Sequence, residues 1–123
     1  MQLVDFYNIL DINTDSSNTT VVKIEIEPSH TIFKGHFPGH AVMPGVALLQ
    51  IIKELLESHF NAKLKMLSVS NVKFLLPVYP EAGNQLVFQL EVKNENGVFN
   101  VKNRTTFPNG DVVLNCNAIF TAE

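Results

Sequence analysis

The chain has a single cysteine, Cys116, among its 123 residues, so no disulfide can form within it. Its first residues show neither the basic flank nor the apolar core of a secretory signal, and both absences favour a reducing, cytoplasmic setting. No apolar run approaches the roughly 20 residues that a helix needs to cross a bilayer. We therefore expect a soluble protein with no membrane partner.

Positive charge is also scarce, because Arg104 is the only arginine and the formal net charge is -3. Contacts to phosphate groups dominate nucleic-acid affinity, so a negative net charge with a single arginine argues against a nucleic-acid partner. A length of 123 residues, of which 46% are hydrophobic, suits one core. We expect residues 1–123 to form a single domain.

One helix is predicted from residue 46 to about residue 60, where no proline or glycine interrupts an apolar pattern of helical spacing. The first turn, residues 46–49, is apolar all round, which predicts that the N-terminal end of the helix is its buried end. A polar stripe follows, formed by Gln50, Lys53, Glu54 and Glu57.

Strands are predicted before and after this helix in the sequence. Alternation over residues 21–27, closed by Pro28, predicts the first strand, and residues 13–20 before it are predicted to be a polar turn. Four more strands are predicted at residues 64–76, 85–92, 98–107 and 112–120. The result is an α+β fold, one helix on an antiparallel sheet. Because one helix covers only one sheet face, the other face and the edges predict at least a dimer.

The segment most suited to chemistry is residues 35–46, Gly-His-Phe-Pro-Gly-His-Ala-Val-Met-Pro-Gly-Val. Its prolines fix φ and its glycines allow close backbone approach, which predicts a loop that positions His36. The Pro44-Gly45 pair precedes the predicted helix, whose first N–H groups can stabilise an anion. A proton-transfer group beside such donors suits chemistry next to a carbonyl.

Residues 30–46 closely resemble the active-site motif of the 3-hydroxyacyl-[acyl carrier protein] dehydratases of fatty acid synthesis. Residues 72–80, followed by Leu86, resemble that family's Lys-Phe, Pro-Val and Pro element, so the resemblance covers about residues 21–122. It implies the hotdog fold, in which the sheet wraps a central helix. It also implies that two protomers form a continuous sheet and that each active site uses residues of both.

The resemblance implies three catalytic positions: His36 as the base, the Gly45 N–H as donor to the thioester oxygen, and position 50, fourteen residues after His36. The dehydratases carry Glu or Asp at that third position, and this chain has Gln50. The substrate-binding residues that the motif implies are Phe37, Pro38, Gly39, Met43, Pro44 and Val46.

An amide can hydrogen-bond to a hydroxyl or a water but cannot give a proton. His36 would therefore return the proton that it removed, in a syn elimination by one acid–base group. Gln50 is either a polar positioner in the site or the first residue of a solvated stripe. Glu54 could replace the missing carboxylate, although it lies roughly 6 Å further along the helix axis.

No metal and no cofactor are expected. His30, His36 and His40 fall within eleven residues, but their spacing crosses Pro38 and Gly39 and no cysteine or carboxylate joins them. Cys116 is predicted to be a core residue. The lysines either form a basic patch for an acidic partner or are scattered in solvent; the candidates are Lys34, Lys63, Lys65 and Lys73.

By resemblance, the leading hypothesis is a dehydratase that converts 3-hydroxyacyl-[acyl carrier protein] thioesters to trans-2-enoyl thioesters in fatty acid or related lipid biosynthesis. Its partners would be an acyl carrier protein bearing an acyl-phosphopantetheine thioester and further copies of the chain, as a homodimer or a trimer of dimers. Two alternatives remain open. One is a catalytically impaired acyl-binding or heterodimer subunit, and the other is a thioesterase in which Gln50 holds the attacking water.

Overall fold

The computed structural model describes residues 5–15, 17–30, 33, 42–80 and 85–123. It contains one helix and six strands: β1 (Tyr7–Thr14), β2 (Thr19–Ile26), α1 (Gly45–Phe60), β3 (Leu64–Phe74), β4 (Gln85–Glu95), β5 (Val98–Thr106) and β6 (Val112–Ala122). The strands form one antiparallel sheet in the order β1-β2-β4-β5-β6-β3. The predicted α+β class, the helix and the four strands that follow it are confirmed.

The core lies between α1 and one face of the sheet. Strands β2, β4 and β5 alternate between buried and more exposed residues, as the sequence pattern predicts, and β6 does so after an initial irregularity. The helix buries a matching apolar face, formed by Ala47, Leu48, Ile51, Ile52, Leu55 and Leu56. Burial of these side chains is the main force that holds the helix against the sheet.

Strand β1 was not predicted, and the predicted polar turn at residues 13–20 is wrong in extent. The turn is shorter, because β1 continues to Thr14 and β2 begins at Thr19. Within it, the Asp15 carboxylate accepts hydrogen bonds from the backbone N–H groups of Ser17 and Thr19. β1 is an edge strand whose residues after Tyr7 are all exposed, so it lacks the alternation that marks a strand buried on one face.

The sheet face that points away from the helix is polar. Outward side chains alternate with the buried ones and line an open groove; among them are Lys73, Gln89, Glu91, Lys102, Arg104, Asn115 and Asn117. An antiparallel sheet with such a face can contact water directly. The exposed apolar side chains lie largely on the two edge strands and the segment after β3; they include Ile9, Leu10, Ile12, Leu67, Phe74, Leu75, Leu76 and Tyr79.

In the described ranges, no helix combines the length and the apolar content needed to cross a membrane.

Candidate functional site

The helix start at Gly45 has the form that the sequence predicts for an anion-stabilising donor. Pro44 is the N-cap residue, with φ -64° and ψ 141°, and no side chain among the described residues caps the helix. The first turn has no acidic residue, and the Ala47 N–H donates to the Pro44 carbonyl at 3.0 Å. The N–H groups of Gly45 and Val46 precede this bond. Since the first N–H groups of a helix have no preceding turn to donate to and lie at its positive end, this terminus can receive a developing negative charge.

The ring of Phe74 lies directly against Gly45. A Cβ atom added to Gly45 would lie 2.7 Å from Cζ and 2.9 Å from Cε1 of Phe74. The Phe74 side chain is itself 52% exposed, so the ring covers the helix start without being enclosed. In the sequence, Phe74 stands out only as part of the motif at residues 72–80, and its contact with the helix start was not predicted.

The residues just before the helix are held by the segment that follows β3. The Met43 N–H donates to the Val78 carbonyl at 2.8 Å, and both side chains are buried. Met43, a predicted substrate-binding residue, is only 6% exposed and belongs to the hydrophobic core. Pro44 is half-buried.

Val46 is an exception to the prediction that the N-terminal end of the helix is its buried end. Its side chain is 65% exposed, whereas Ala47 and Leu48 are buried and Leu49 is half-buried. The reason is geometric, because a helix on a single sheet leaves its far side open. An exposed valine at the helix start is therefore free to contact a substrate or a second protomer.

Gln50 belongs to a hydrogen-bonded group that includes a residue far away in sequence. Its Nε2 donates to Oε2 of Glu54 at 2.9 Å, across one helical turn. The other carboxylate oxygen, Oε1, accepts a hydrogen bond of 3.0 Å from the Tyr7 hydroxyl on β1. The predicted placement of Gln50 and Glu54 on one stripe of the helix is confirmed. The contact of Tyr7 with Glu54 was not predicted, because strand β1 was not predicted.

The environment keeps the Tyr7 phenol protonated. Burial is the largest cause that raises its pKa, followed by the negative charge of Glu54, the hydrogen bond to Glu54 and the charge of Glu57. Tyr7 is therefore a hydrogen-bond donor to Glu54 over the whole physiological pH range.

Several predicted site residues lie outside the described residues, and their roles stay predictions; they are His36, Phe37, Pro38 and Gly39. His40 and Lys34 also lie outside the described residues. His30 is described, and its ring makes an edge contact of 5.0 Å with Phe6. In the described part of the chain, no group of three or more His, Cys, Asp or Glu residues could hold a metal ion.

Cys116 is a core residue, as predicted. It is buried, and burial raises the pKa of its thiol, which makes it a poor nucleophile. Of the lysines considered for a basic patch, Lys65 lies near one end of β3 and Lys73 near the other, while Lys34 lies outside the described residues. The choice between a patch and scattered lysines therefore stays open.

The sequence is related to curated bacterial dehydratases. It is 34% identical over 79 residues to a 3-hydroxyacyl-[acyl-carrier-protein] dehydratase FabZ of Geotalea uraniireducens, an alignment that covers 56% of this chain and 53% of that one. It is 28% identical over 103 residues to the FabZ of Fusobacterium nucleatum, covering 80% of this chain and 72% of that one. The chain thus spans between about half and about three quarters of these two relatives.

The fold is shared with solved structures of low sequence identity. A chain of the dehydratase heterocomplex ApeI:P from Xenorhabdus doucetiae superposes with a TM-score of 0.78 at 18% identity, covering 93% of this chain and 96% of that one. A hypothetical thioesterase from Streptococcus pneumoniae, solved with coenzyme A, gives 0.66 at 11% identity, covering 95% and 85%. The helix and antiparallel sheet are therefore a hotdog fold, as predicted.

The model of the ApeI-like family, described as ApeI dehydratase, matches residues 12–111. This match runs from β1 to the turn before β6 and includes the helix start, Gln50 and Glu54. The chain belongs to the ApeI-like dehydratase family.

Proposed function

We propose that this protein is a dehydratase that removes water from 3-hydroxyacyl thioesters carried on the phosphopantetheine arm of an acyl carrier protein. The observation that carries the proposal is the helix start at Gly45, which no side chain of the described residues caps and which directly follows the segment containing His36. The family match and the names of the FabZ relatives support the same reaction class. The products would be trans-2-enoyl thioesters for fatty acid or related lipid biosynthesis.

The reaction needs three functions, and the chain offers a group for each. His36, with a reference pKa near 6.5, removes a proton from the carbon next to the thioester carbonyl. The Gly45 N–H donates to the thioester oxygen, where enolate-like charge develops. The bond between the third carbon and its hydroxyl oxygen then breaks, and the hydroxyl leaves as water with the proton that His36 returns.

Because position 50 carries an amide, His36 must act as the only acid–base group. An amide has no proton to give at neutral pH, so Gln50 can hold the hydroxyl but cannot protonate it. General acid–base assistance is typically worth about 10² to 10⁴ in rate, and the loss of one partner slows the reaction without abolishing it. We therefore propose a working but slow dehydratase.

The acyl chain would enter beside the helix start. Val46 and Pro44 offer accessible apolar surface there, and we assign the same role to Phe37, Pro38 and Gly39 of the preceding segment. Met43 would act from within the core, as part of the wall behind the site. No cofactor takes part in this mechanism.

We propose that the site is completed by a second copy of the chain, in a homodimer or a trimer of dimers. β3 is an edge strand of the sheet, and its exposed Leu67 and Phe74 would be covered by pairing with the same strand of the partner. Residues 1–123 would act as a single cytoplasmic domain, with an acyl carrier protein as its other partner.

A second candidate is a catalytically impaired subunit that works only with a different partner chain. Two observations favour it: the amide at position 50 and the likeness to a chain of a dehydratase heterocomplex. In that case the partner would supply the carboxylate that this chain lacks. A third activity on this fold, thioester hydrolysis, would use Gln50 to hold the attacking water.

The test is mass spectrometry of a 3-hydroxyoctanoyl carrier protein incubated with the purified protein. Wild type and His59→Ala should both remove one water, since His59 is an exposed residue in the last turn of the helix. His36→Ala should remove none. Equal turnover by His36→Ala would refute the role of His36.

The same samples separate the alternatives. Release of free carrier-protein thiol, without loss of water, would indicate a thioesterase. An inactive wild type that gains activity only when a second homologous chain is added would identify the heterodimer subunit.

A further inference from the structure

The hydrogen-bonded group of Gln50, Glu54 and Tyr7 is more than a pair on a helix surface. A glutamine and a glutamate four residues apart often contact each other, with small effect on stability. Here a third residue, Tyr7, reaches the same carboxylate from β1, 47 residues earlier in the chain. All three side chains are half-buried, so the sheet edge as well as the helix holds Glu54 in place.

The carboxylate determines which way the Gln50 amide faces. An ionised carboxylate only accepts hydrogen bonds, so the amide must turn its NH2 group to Glu54, as the 2.9 Å contact from Nε2 to Oε2 shows. The amide oxygen Oε1 is then on the opposite side of the group. Glu54 lies one turn further toward the C-terminus than Gln50, so it does not stand between Gln50 and the helix start at Gly45.

We propose that Glu54, itself held by Tyr7, is a positioning residue that presents the Gln50 carbonyl to the substrate. In this arrangement Oε1 of Gln50 accepts a hydrogen bond from the 3-hydroxyl group of a 3-hydroxyacyl chain. A free amide could turn either end to the site, whereas this one offers only an acceptor. The inference rests on the proposed function for the class of ligand.

The arrangement would give the site a preference for hydroxylated acyl chains before any chemistry takes place. One net hydrogen bond is worth about a fivefold to tenfold difference in affinity. Tyr7 contributes by donating to Oε1 of Glu54, while Oε2 accepts from the amide. The carboxylate would thus act through Gln50 and not on the substrate.

The test compares two unreactive ligands, amide analogues of 3-hydroxyoctanoyl pantetheine and of octanoyl pantetheine, which differ only in the hydroxyl. Their dissociation constants are measured by calorimetry for wild type, Glu54→Gln and Glu57→Gln. Glu57→Gln is the matched control, since it removes the same charge from the same helix at a carboxylate that accepts from the Leu64 N–H. Gln50→Ala removes the acceptor itself.

Wild type and Glu57→Gln should bind the hydroxylated analogue about fivefold to tenfold more tightly than the other. Glu54→Gln and Gln50→Ala should bind both analogues with affinities within about twofold of each other, with little change for the octanoyl analogue. An unchanged hydroxyl preference in Glu54→Gln or Gln50→Ala, or an equal loss in Glu57→Gln, would overturn the inference.

The outcomes also separate this inference from the proposed function. If wild type binds both analogues equally, the positioning role is refuted while the acyl site stands. If wild type binds neither, the proposed substrate class is wrong, and the inference fails with it.

Discussion

Replacing Tyr7 with phenylalanine removes one hydroxyl group and should measurably destabilise the fold. The lost hydrogen bond, 3.0 Å to Glu54 Oε1, has a charged acceptor, and such bonds contribute about 1.5–3 kcal/mol when buried. Both residues are only half-buried, so water replaces part of the interaction, and we expect a loss of about 1 kcal/mol. For 123 residues, this corresponds to a fall in Tm of about 4 °C.

The same variant should change how stability depends on alkaline pH. Burial and the Glu54 charge raise the pKa of Tyr7 above its usual value of 10.0. The folded state therefore retains a proton that the unfolded chain loses, and the stabilisation is complete below about pH 10 and declines as the pH rises further. The free energy of unfolding of wild type should therefore fall more steeply with pH than that of Tyr7→Phe. The difference in slope has an upper limit of about 1.4 kcal/mol per pH unit, and we expect a smaller value because solvent screens the site.

Urea unfolding followed by circular dichroism measures both effects, at pH 7 and at several values between about 9 and 11. Tyr79→Phe is the control, since it removes the exposed second tyrosine of the chain. A Tyr7→Phe protein as stable as wild type at pH 7, with the same alkaline decline, would refute the reasoning. Glu54→Gln combined with Tyr7→Phe should be less destabilising than the sum of the two single changes.

Three further outcomes follow from the geometry. Gly45→Ala should lower turnover at least tenfold with little change in Tm. The new methyl group would displace the half-exposed Phe74 ring that lies over the helix start, and turnover equal to that of wild type would contradict this contact. The thiol of Cys116 should react with a disulfide reagent only when the protein unfolds, and rapid reaction of the native protein would show that the residue is accessible. Gly97→Ala should lower the free energy of unfolding in urea by about 1 kcal/mol, because Gly97 has a φ of +79°, which alanine adopts only at a cost; the added methyl group would meet no other atom. An unchanged unfolding midpoint would show that the turn adapts.

Much of the fold could be predicted because its buried elements carry strong periodic patterns. α1 and the four strands after it follow the apolar spacing of the sequence to within a few residues. β1 could not be predicted in this way, because an exposed edge strand has no face that must be apolar. The polar outer face of the sheet was not predicted, because it depends on the strand order that brings the outward side chains of several strands together.

The site could be predicted only in part. The helix start at Gly45 and the shared stripe of Gln50 and Glu54 follow from local spacing. The contact of Tyr7 with Glu54 joins residues 47 positions apart, and it depends on the pairing of β1 with β2. Long-range contacts of this kind arise from tertiary packing, which local sequence patterns do not encode.

The decisive measurement is the rate of water loss from a 3-hydroxyoctanoyl carrier protein, compared between wild type and Gln50→Glu. The proposed mechanism predicts slow turnover by wild type and turnover at least about 100-fold faster by Gln50→Glu, because the new carboxyl group can protonate the leaving hydroxyl. Loss of water by Gln50→Glu but none by wild type would contradict it, and would identify an intact scaffold whose chemistry depends on another chain.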